Sequence, residues 1–477
     1  DSVIVTAPTG SGKTVIFELA IIRLLENYGS CVDNNFKIVY VAPIKALCSE
    51  RFADWKNKFL KIGLNCIELT GDSEEDIFSL DPYHLILTTP EKWDSLTRKW
   101  RENNFPVQKV KLFMIDEVHL LNEEKRGPTL EAVVCRMKLA QSVTVSSVNI
   151  RFIAVSATIP NVEDITEWLS SKNIKAHQFQ MSEESRPVKL KKVVIGYPVK
   201  NNQSPFMFDL GLDYKLKFII PKYAEGKPTL IFCSTRKGVL QTGKTLANDL
   251  SFEPSPDQRS AINEAMERIH DGKLKELLKS GIGCHHAGID YEDRRLIEGL
   301  FRSGCLPILV ATSTLAMGIN LPAHLVIIKS TEFYIDGGYH EYSESQVLQM
   351  IGRAGRPQFD VEATAVIMTK DTLKKRYENV LEGIQPVESN LHRHLTEHLN
   401  AEVVLRTIPD IALAMDWMRS TFLYIRTQKN PAHYKLSRNL TNAQMEFSLQ
   451  GTYSQFHPLI FKQWCWVIIL RVVLQTW

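Results

Sequence analysis

Nowhere in this sequence do two cysteines form a C-x-x-C pair, and the eight present, at positions 31, 48, 66, 135, 233, 284, 305 and 465, follow no regular spacing. That scatter argues against a secreted disulfide framework and against a zinc ribbon, and it implies a reducing compartment. Charge of one sign is lacking too: 57 Lys and Arg against 54 Asp and Glu leave a net charge of +3, which leaves room for a local basic channel but for no basic coat. No membrane segment is expected. The unbroken apolar run Trp464–Leu470 is bracketed by Lys462 and Arg471 and falls far short of the roughly 20 residues a spanning helix needs. The chain opens at Asp1 on a strand-like run without a Met, which predicts that the natural N-terminus and any targeting signal lie upstream. What is present is the balance of a globular protein, 44% hydrophobic and 23% charged over 477 residues, enough for two or three domains.

Short apolar runs at Ser2–Val5, Ile38–Val41, Leu85–Leu87, Leu112–Ile115 and Phe152–Val155 alternate with helical patterns such as Val15–Asn27. Alternation of this kind reads as a parallel sheet wrapped by helices. A second series begins near Thr229, continues through Pro307–Ala311 and Leu325–Lys329, and closes at Ala363–Met368. The polar stretch before Pro187 marks the boundary, since proline disfavours helix in the residue before it. After Pro386 the pattern turns helical over Leu391–Leu405 and Ala412–Arg426. The expected organisation is α/β over residues 1–185 and again over 186–385, a helical domain over 386–450, and an atypical hydrophobic tail over 451–477.

The segment Ala7-Pro8-Thr9-Gly10-Ser11-Gly12-Lys13-Thr14 follows a strand and opens a helix, the context a phosphate-binding loop requires. Its glycines let backbone N–H groups curl around phosphate oxygens; Lys13 reaches the β- and γ-phosphates of ATP, and Thr14 offers a hydroxyl to Mg²⁺. About a hundred residues on, Asp116 and Glu117 end a buried strand, where adjacent carboxylates are costly unless a cation claims them. Asp116 is the natural Mg²⁺ partner, and Glu117 is placed to deprotonate the attacking water. In the second series, Gln349-Met-Ile-Gly-Arg353-Ala-Gly-Arg356-Pro offers two arginines at helical spacing, read as one helix face reaching across a cleft to the transferring phosphoryl group. A site divided between two domains makes closure and hydrolysis depend on each other.

Other segments read as coupling or track. Ser156-Ala-Thr158 follows a strand and can link the acids to the cleft. Pro43 and Lys45, Thr70 and Gly71 (with Asp72), and Thr89-Pro90-Glu91 follow strands of the first series; Ser234 and Arg236, and Thr312 and Thr314, do so in the second. Hydroxyls, backbone N–H groups and a few cations at strand ends can grip successive phosphates of a nucleic acid without reading its bases. His394-Leu-Thr-Glu-His398 matches H-x-x-E-H, but it has no evident third ligand, so no zinc is expected; His285-His286 reads as structural or as a cleft contact.

Together the loop, Asp116-Glu-Val-His119, Ser156-Ala-Thr158, Thr312-Ser-Thr-Leu-Ala-Met-Gly-Ile-Asn-Leu-Pro322 and Gln349–Pro357 resemble the Ski-like branch of superfamily 2 helicases, from residue 1 to about 450. The resemblance implies tandem RecA-like domains, Gly318 and Asn320 near the nucleotide, Gln349 in the catalytic set, His119 coupling ATP to nucleic acid, and a duplex-parting β-hairpin between Thr331 and Tyr342. Pro43–Cys48, Pro90–Asp94, Arg126–Glu131 and Ser389–Glu402 are most similar to the Mer/Hfm group of meiotic crossover helicases. That similarity implies a nuclear 3′ to 5′ DNA helicase acting on single-stranded or branched recombination intermediates, with a partial winged-helix domain after residue 386. It also implies that an adenine-contacting segment upstream and a ratchet domain downstream are not within this sequence. An RNA helicase of the same branch, or a truncated nucleic-acid-binding remnant without unwinding activity, are the alternatives.

Overall fold

The computed structural model describes residues 1–436 apart from 9, 29–35, 72–79, 99–105, 144–149, 172–174, 183, 185, 319–320, 336, 357–358, 384, 406 and 409. Thr9, Asp72, Asn320, Pro357, the end of the expected winged-helix region and the tail over 451–477 lie outside the described residues.

The first unit runs β1 (Ser2–Thr6), α1 (Lys13–Tyr28), β2 (Lys37–Val41), α2 (Lys45–Leu60), β3 (Cys66–Leu69), β4 (Leu85–Thr88), α3 (Pro90–Thr97), β5 (Val110–Ile115), α4 (Gly127–Val143), β6 (Arg151–Ser156), α5 (Val162–Leu169) and β7 (Ala176–Gln180). These strands form one parallel sheet in the order β3-β4-β2-β5-β6-β1-β7. Its central strands are buried on both faces, which is why they read as continuous apolar runs rather than alternating ones. Lys37 is the exception that shows the cost: its ammonium is buried and donates to the carbonyls of Leu80, Asp81 and Tyr83 at 2.6–2.9 Å, while burial lowers its pKa to about 8.

The second unit runs β8 (Lys189–Tyr197), α6 (Pro205–Tyr223), β9 (Thr229–Cys233), α7 (Arg236–Asp249), α8 (Pro256–Arg268), α9 (Gly272–Lys279), β10 (Ile282–His285), α10 (Tyr291–Arg302), β11 (Ile308–Thr312), α11 (Thr314–Gly318), β12 (Leu325–Ile328), β13 (Glu332–Ile335), β14 (Gly338–Glu341), α12 (Glu344–Ile351), β15 (Glu362–Lys370) and α13 (Asp371–Leu381). Six of its strands form a parallel sheet in the order β10-β11-β9-β12-β15-β8. The expected hairpin is there as the antiparallel pair β13 and β14, which opposes Glu332 to Glu341 and leaves Tyr334 and Tyr339 exposed, edge to face at 5.1 Å. The second sheet starts earlier than the expected Thr229: β8 alternates Lys with half-buried apolar residues at the sheet edge, so its hydrophobic signal is diluted.

After this come α14 (Leu391–Val404), α15 (Ile411–Arg419) and α16 (Phe422–Lys429). The single helix expected over Ala412–Arg426 is two, because Thr421 caps a new start by accepting from the Tyr424 N–H at 3.1 Å. These helices close over the first unit: Leu391, Leu395, Leu399 and Trp417 pack with Ala132, Cys135 and Leu139 of α4. Among the described residues no helix is long and apolar enough to cross a membrane.

Candidate nucleotide and nucleic-acid site

Strand order sorts the motifs. Except for Gln349–Arg356, which lies on and after α12, and Gly318, which ends α11, those within the described residues sit at carboxyl ends of parallel strands, where a doubly wound sheet opens its crevice. In the first sheet the segments expected to grip a nucleic acid follow β2, β3 and β4, which lie together at one side, whereas the loop, the acids and Ser156-Ala-Thr158 follow β1, β5 and β6. The contact between the halves is the β2–β5 pair.

The loop leaves β1 with Ala7 donating its N–H to the Ser156 carbonyl at 3.1 Å, and Ser11 Oγ donates to the Pro8 carbonyl at 2.7 Å. Gly10 and Gly12 have φ of 82° and 81°, and no atom lies within 4 Å of where a Cβ would sit. The demand for glycine there is conformational, and the space in front is open. Lys13 starts α1 with its ammonium buried and without a hydrogen-bond partner; its nearest carboxylate oxygen is Glu117 Oε2 at 4.0 Å, which also has none. A buried ammonium left this way is costly, and phosphate oxygens would satisfy it. The residues present therefore fit a nucleotide.

Asp116 accepts from the Tyr40 hydroxyl at 2.5 Å and from the Glu117 N–H at 3.0 Å. Burial and the neighbouring Glu117 push its carboxyl up to about 6, which suits a group that a divalent cation would claim. Glu117 has φ 52° and ψ 54°, a left-handed conformation rare for a side chain with a Cβ, and such strain concentrates at functional sites. Burial opposes its ionisation, but Lys13, His119 and Arg353 together hold its pKa below the ordinary value. His119 Nδ1 lies 3.4 Å from Glu117 Oε2 and 3.0 Å from Ser156 Oγ, so the ring bridges the acid and the strand-end hydroxyl. Burial lowers the pKa of that imidazole, with Glu117 pulling the other way. Thr158 lines both cavities between the two units, of about 670 and 230 Å³.

In the second unit the expected shared helix face is not found. α12 starts on a capping box, Ser343 with Gln346, and ends at Ile351; Arg353 and Arg356 lie beyond it. The chain turns because Gly355 has φ 101° and presses on Val188, where a Cβ would come within 2.9 Å. The two arginines therefore differ. Arg353 donates from Nε to the Ala316 carbonyl at 3.0 Å; burial lowers its pKa while Glu50 and Glu117 of the first unit oppose that. Arg356 is held bidentately by the buried Asp360 at 2.8 and 3.1 Å and lies over the Phe359 ring at 5.2 Å. Gln349 Oε1 is buried without a hydrogen-bond partner, and Gly318 ends α11.

On the track side, Thr89 caps α3 by accepting from the Lys92 N–H, with Pro90 and Glu91 next. The Pro43 carbonyl accepts from Arg126 at 2.7 Å, and Lys45 opens α2. Thr70 and Gly71 follow β3; Ser234 and Arg236 flank Thr235, the cap of α7; the hydroxyls of Thr312, which ends β11, and Thr314, which opens α11, meet at 2.8 Å. His394 lies 3.6 Å from Glu397, and His285 Nε2 donates to Glu298 Oε1 at 2.8 Å; among the described residues no cluster of three metal-ligating side chains occurs. Tyr40, Glu50 and Asp360 carried no motif: Tyr40 reaches Asp116 and Glu50 acts on Arg353 from other elements, while Asp360 holds Arg356 within one loop. Asp360, four residues after Arg356, had a local signal; Tyr40 had none.

The DEAD/DEAH box helicase model matches residues 1–165, the helicase conserved C-terminal domain residues 213–358, and a winged helix-turn-helix domain residues 388–450. The chain is 56% identical over 454 residues to the probable ATP-dependent DNA helicase HFM1 of Xenopus tropicalis, covering 94% of this chain and 34% of that protein. It is 42% identical over 459 residues to the ATP-dependent DNA helicase MER3 of Saccharomyces cerevisiae, covering 96% and 37%, and 40% identical over 456 residues to activating signal cointegrator 1 complex subunit 3 of Dictyostelium discoideum, covering 94% and 20%. It thus spans about a third of the length of the HFM1 and MER3 relatives. With its matches running through both sheets and into the helical unit, the chain belongs to the DEAD/DEAH-box helicases, in the group of HFM1 and MER3.

Proposed function

We propose that this chain is the motor of an ATP-dependent DNA helicase, with hydrolysis at one site shared by residues 1–185 and 186–385 and a partial winged-helix domain over 386–450. The observation that carries the reading is the unsatisfied pair Lys13 and Glu117, with the charge of Arg353 reaching Glu117 from the second sheet. The backbone of Ala7–Gly12 and Lys13 bind the ATP phosphates. Thr14 and Asp116 hold Mg²⁺, whose charge neutralises the phosphate oxygens when bound. Glu117, ionised at neutral pH, orients the attacking water and takes its proton. Arg353 stabilises charge on the transferring phosphoryl group only when the two sheets are close, which ties hydrolysis to closure. Gln349 and Gly318 border the same region, and His119 relays its state through Ser156 toward Thr158.

Residues Pro43, Lys45, Thr70, Gly71, Thr89, Pro90 and Glu91 of the first sheet and Ser234, Arg236, Thr312 and Thr314 of the second grip the strand on either side of the cleft. Alternate opening and closing then moves one grip past the other. The names of the HFM1 and MER3 relatives support DNA as the substrate. The resemblance of Pro90–Asp94 and Ser389–Glu402 to the meiotic crossover group supports recombination intermediates, a nuclear location and 3′ to 5′ movement. The deciding experiment is ATP hydrolysis by the full chain with single-stranded DNA or RNA of equal length and sequence at one salt concentration. Stimulation by DNA, abolished in Glu117→Gln, is expected; equal or greater stimulation by RNA would overturn the DNA assignment, and an unchanged Glu117→Gln would overturn the base.

A further inference from the structure

One guanidinium is divided between two helices that no local sequence relation joins. Arg136, on α4, is buried, and toward α3 its Nη1 donates to the Asp94 carbonyl at 3.2 Å and the Thr97 hydroxyl at 2.9 Å, with Nη2 2.8 Å from Asp94 Oδ1. Toward α14 its Nε and Nη2 donate to Glu402 Oε1 at 2.8 and 2.5 Å. The planar fork fixes both directions at once, which a lysine cannot do.

α3 is only eight residues long, and its start is the Thr89-Pro90-Glu91 segment of the proposed grip. Arg136 therefore holds the far end of the helix whose near end meets the nucleic acid. The helical unit does not need this ion group to stay attached, because Leu391, Leu395, Leu399 and Trp417 already pack on α4. A buried ion cluster is no more stabilising than apolar packing of the same volume, so what it adds is fixed geometry. Asp94 Oδ1 and Glu402 Oε2 accept no hydrogen bond, so both carboxylates lean on that one buried cation, Arg98 reaching only the outer oxygen of Asp94.

We infer that Arg136 is a positioning residue for the nucleic-acid grip, setting α3 against α14 so that the packed helical unit holds the strand-contacting end of α3 in place. This rests on the reading that Thr89–Glu91 contact nucleic acid. The test uses the full chain and an oligothymidylate, following ATP hydrolysis against oligonucleotide concentration and direct binding by anisotropy. In Glu402→Gln, which keeps shape and leaves the Asp94–Arg136 pair intact, and in Arg136→Lys, the half-saturating oligonucleotide concentration is expected to rise about tenfold with basal rate and KM for ATP unchanged. Leu399→Ala loosens the same interface without touching the fork and is expected to lower the melting temperature alone. Lower melting temperatures in Glu402→Gln and Arg136→Lys with no change in half-saturation would make the cluster merely structural. An equal rise in Leu399→Ala would likewise overturn the inference. Should the unaltered chain neither bind the oligonucleotide nor respond to it, the proposed function itself fails, and the inference with it.

Discussion

The first unit meets the rest of the chain on two sides that are built differently. Toward the helical unit the contact is buried and closely packed: Phe422 and Ile425 join its core, Glu131 accepts from Ser389 Oγ at 2.6 Å and the Leu423 N–H at 2.7 Å, and Arg426 ties Asp164 to Glu388 at 2.5 and 2.6 Å. Toward the second sheet no buried apolar cluster crosses among the described residues. That side has two cavities and polar contacts such as Ser345 Oγ to Glu123 at 2.8 Å. A large apolar contact resists separation, while a polar, cavity-lined one is cheap to open and close. The comparison assigns motion to the cleft that holds the nucleotide residues and rigidity to the face that holds the helical unit.

The largest expected effect breaks the moving side. Arg353→Ala should lower the DNA-stimulated ATPase by about 10³ to 10⁵-fold with nucleotide binding retained, as for arginines that stabilise a transferring phosphoryl group. Arg356→Ala should act elsewhere: it takes the guanidinium from the buried Asp360 and leaves it the residue-356 N–H and His324 Nδ1, a cost of about 1–3 kcal/mol, so melting temperature falls more than rate. Equal rate losses in the two variants would show that Arg356 leaves Asp360 during turnover. Glu117→Gln follows, with a loss of about 10² to 10⁴-fold typical of a missing general base. Retained hydrolysis there would move the base to another residue.

The difference between the two arginines also marks how far the sequence could be read. Lys13, Asp116 and Glu117 were legible because their chemistry is written in contiguous segments whose flanking strand and helix have clear periods. Arg353 and Arg356 were legible as residues but not as geometry: their spacing suggested one helix face, whereas the helix ends at Ile351 before either of them and Gly355, with φ of 101°, turns the chain between them. The edge strand β7, exposed over most of its length, and β8, laced with lysines, escaped because one of their sides lacks a sheet neighbour, which removes the continuous apolar run. Tyr40 with Asp116, 76 residues apart, and Arg136 with Glu402, 266 apart, have no local signature at all. Long-range polar pairs depend on topology, and the strand order that places β2 beside β5 is not a periodicity.

A smaller effect probes that β2–β5 contact. With Asp116 raised to about 6, protonation competes with Mg²⁺ below that pH, so the Mg²⁺ concentration needed for half-maximal ATPase should rise as pH falls through about 6. Tyr40→Phe removes a hydrogen bond that favours the carboxylate, and the midpoint should move upward by roughly one unit. A midpoint that stays in place would mean the hydroxyl does not tune Asp116.

The smallest effect belongs to the rigid side, and its sign sharpens the contrast. Burial pushes the Glu131 carboxyl up to about 7, although Ser389 and the N–H groups at the start of α16 pull the other way. Because the folded value lies above the unfolded one, the stability this group contributes is fully present below the unfolded value and is lost as pH rises through about 7. Above that pH the native state must carry a buried charge or detach α16. The unaltered chain should therefore lose about 1.4 kcal/mol per pH unit from this group as pH rises from the unfolded value of 4.5 to about 7, and nothing further above it, and Glu131→Gln, which cannot ionise, should show a shallower fall of melting temperature over that window. The ATPase acid limb set by Asp116 should not move in that variant, since Asp116 stands among the nucleotide residues and Glu131 under α16, where it meets Ser389 and Leu423. Parallel melting curves in the two proteins would mean that Glu131 ionises without cost, and the helical face would then be looser than its packing implies.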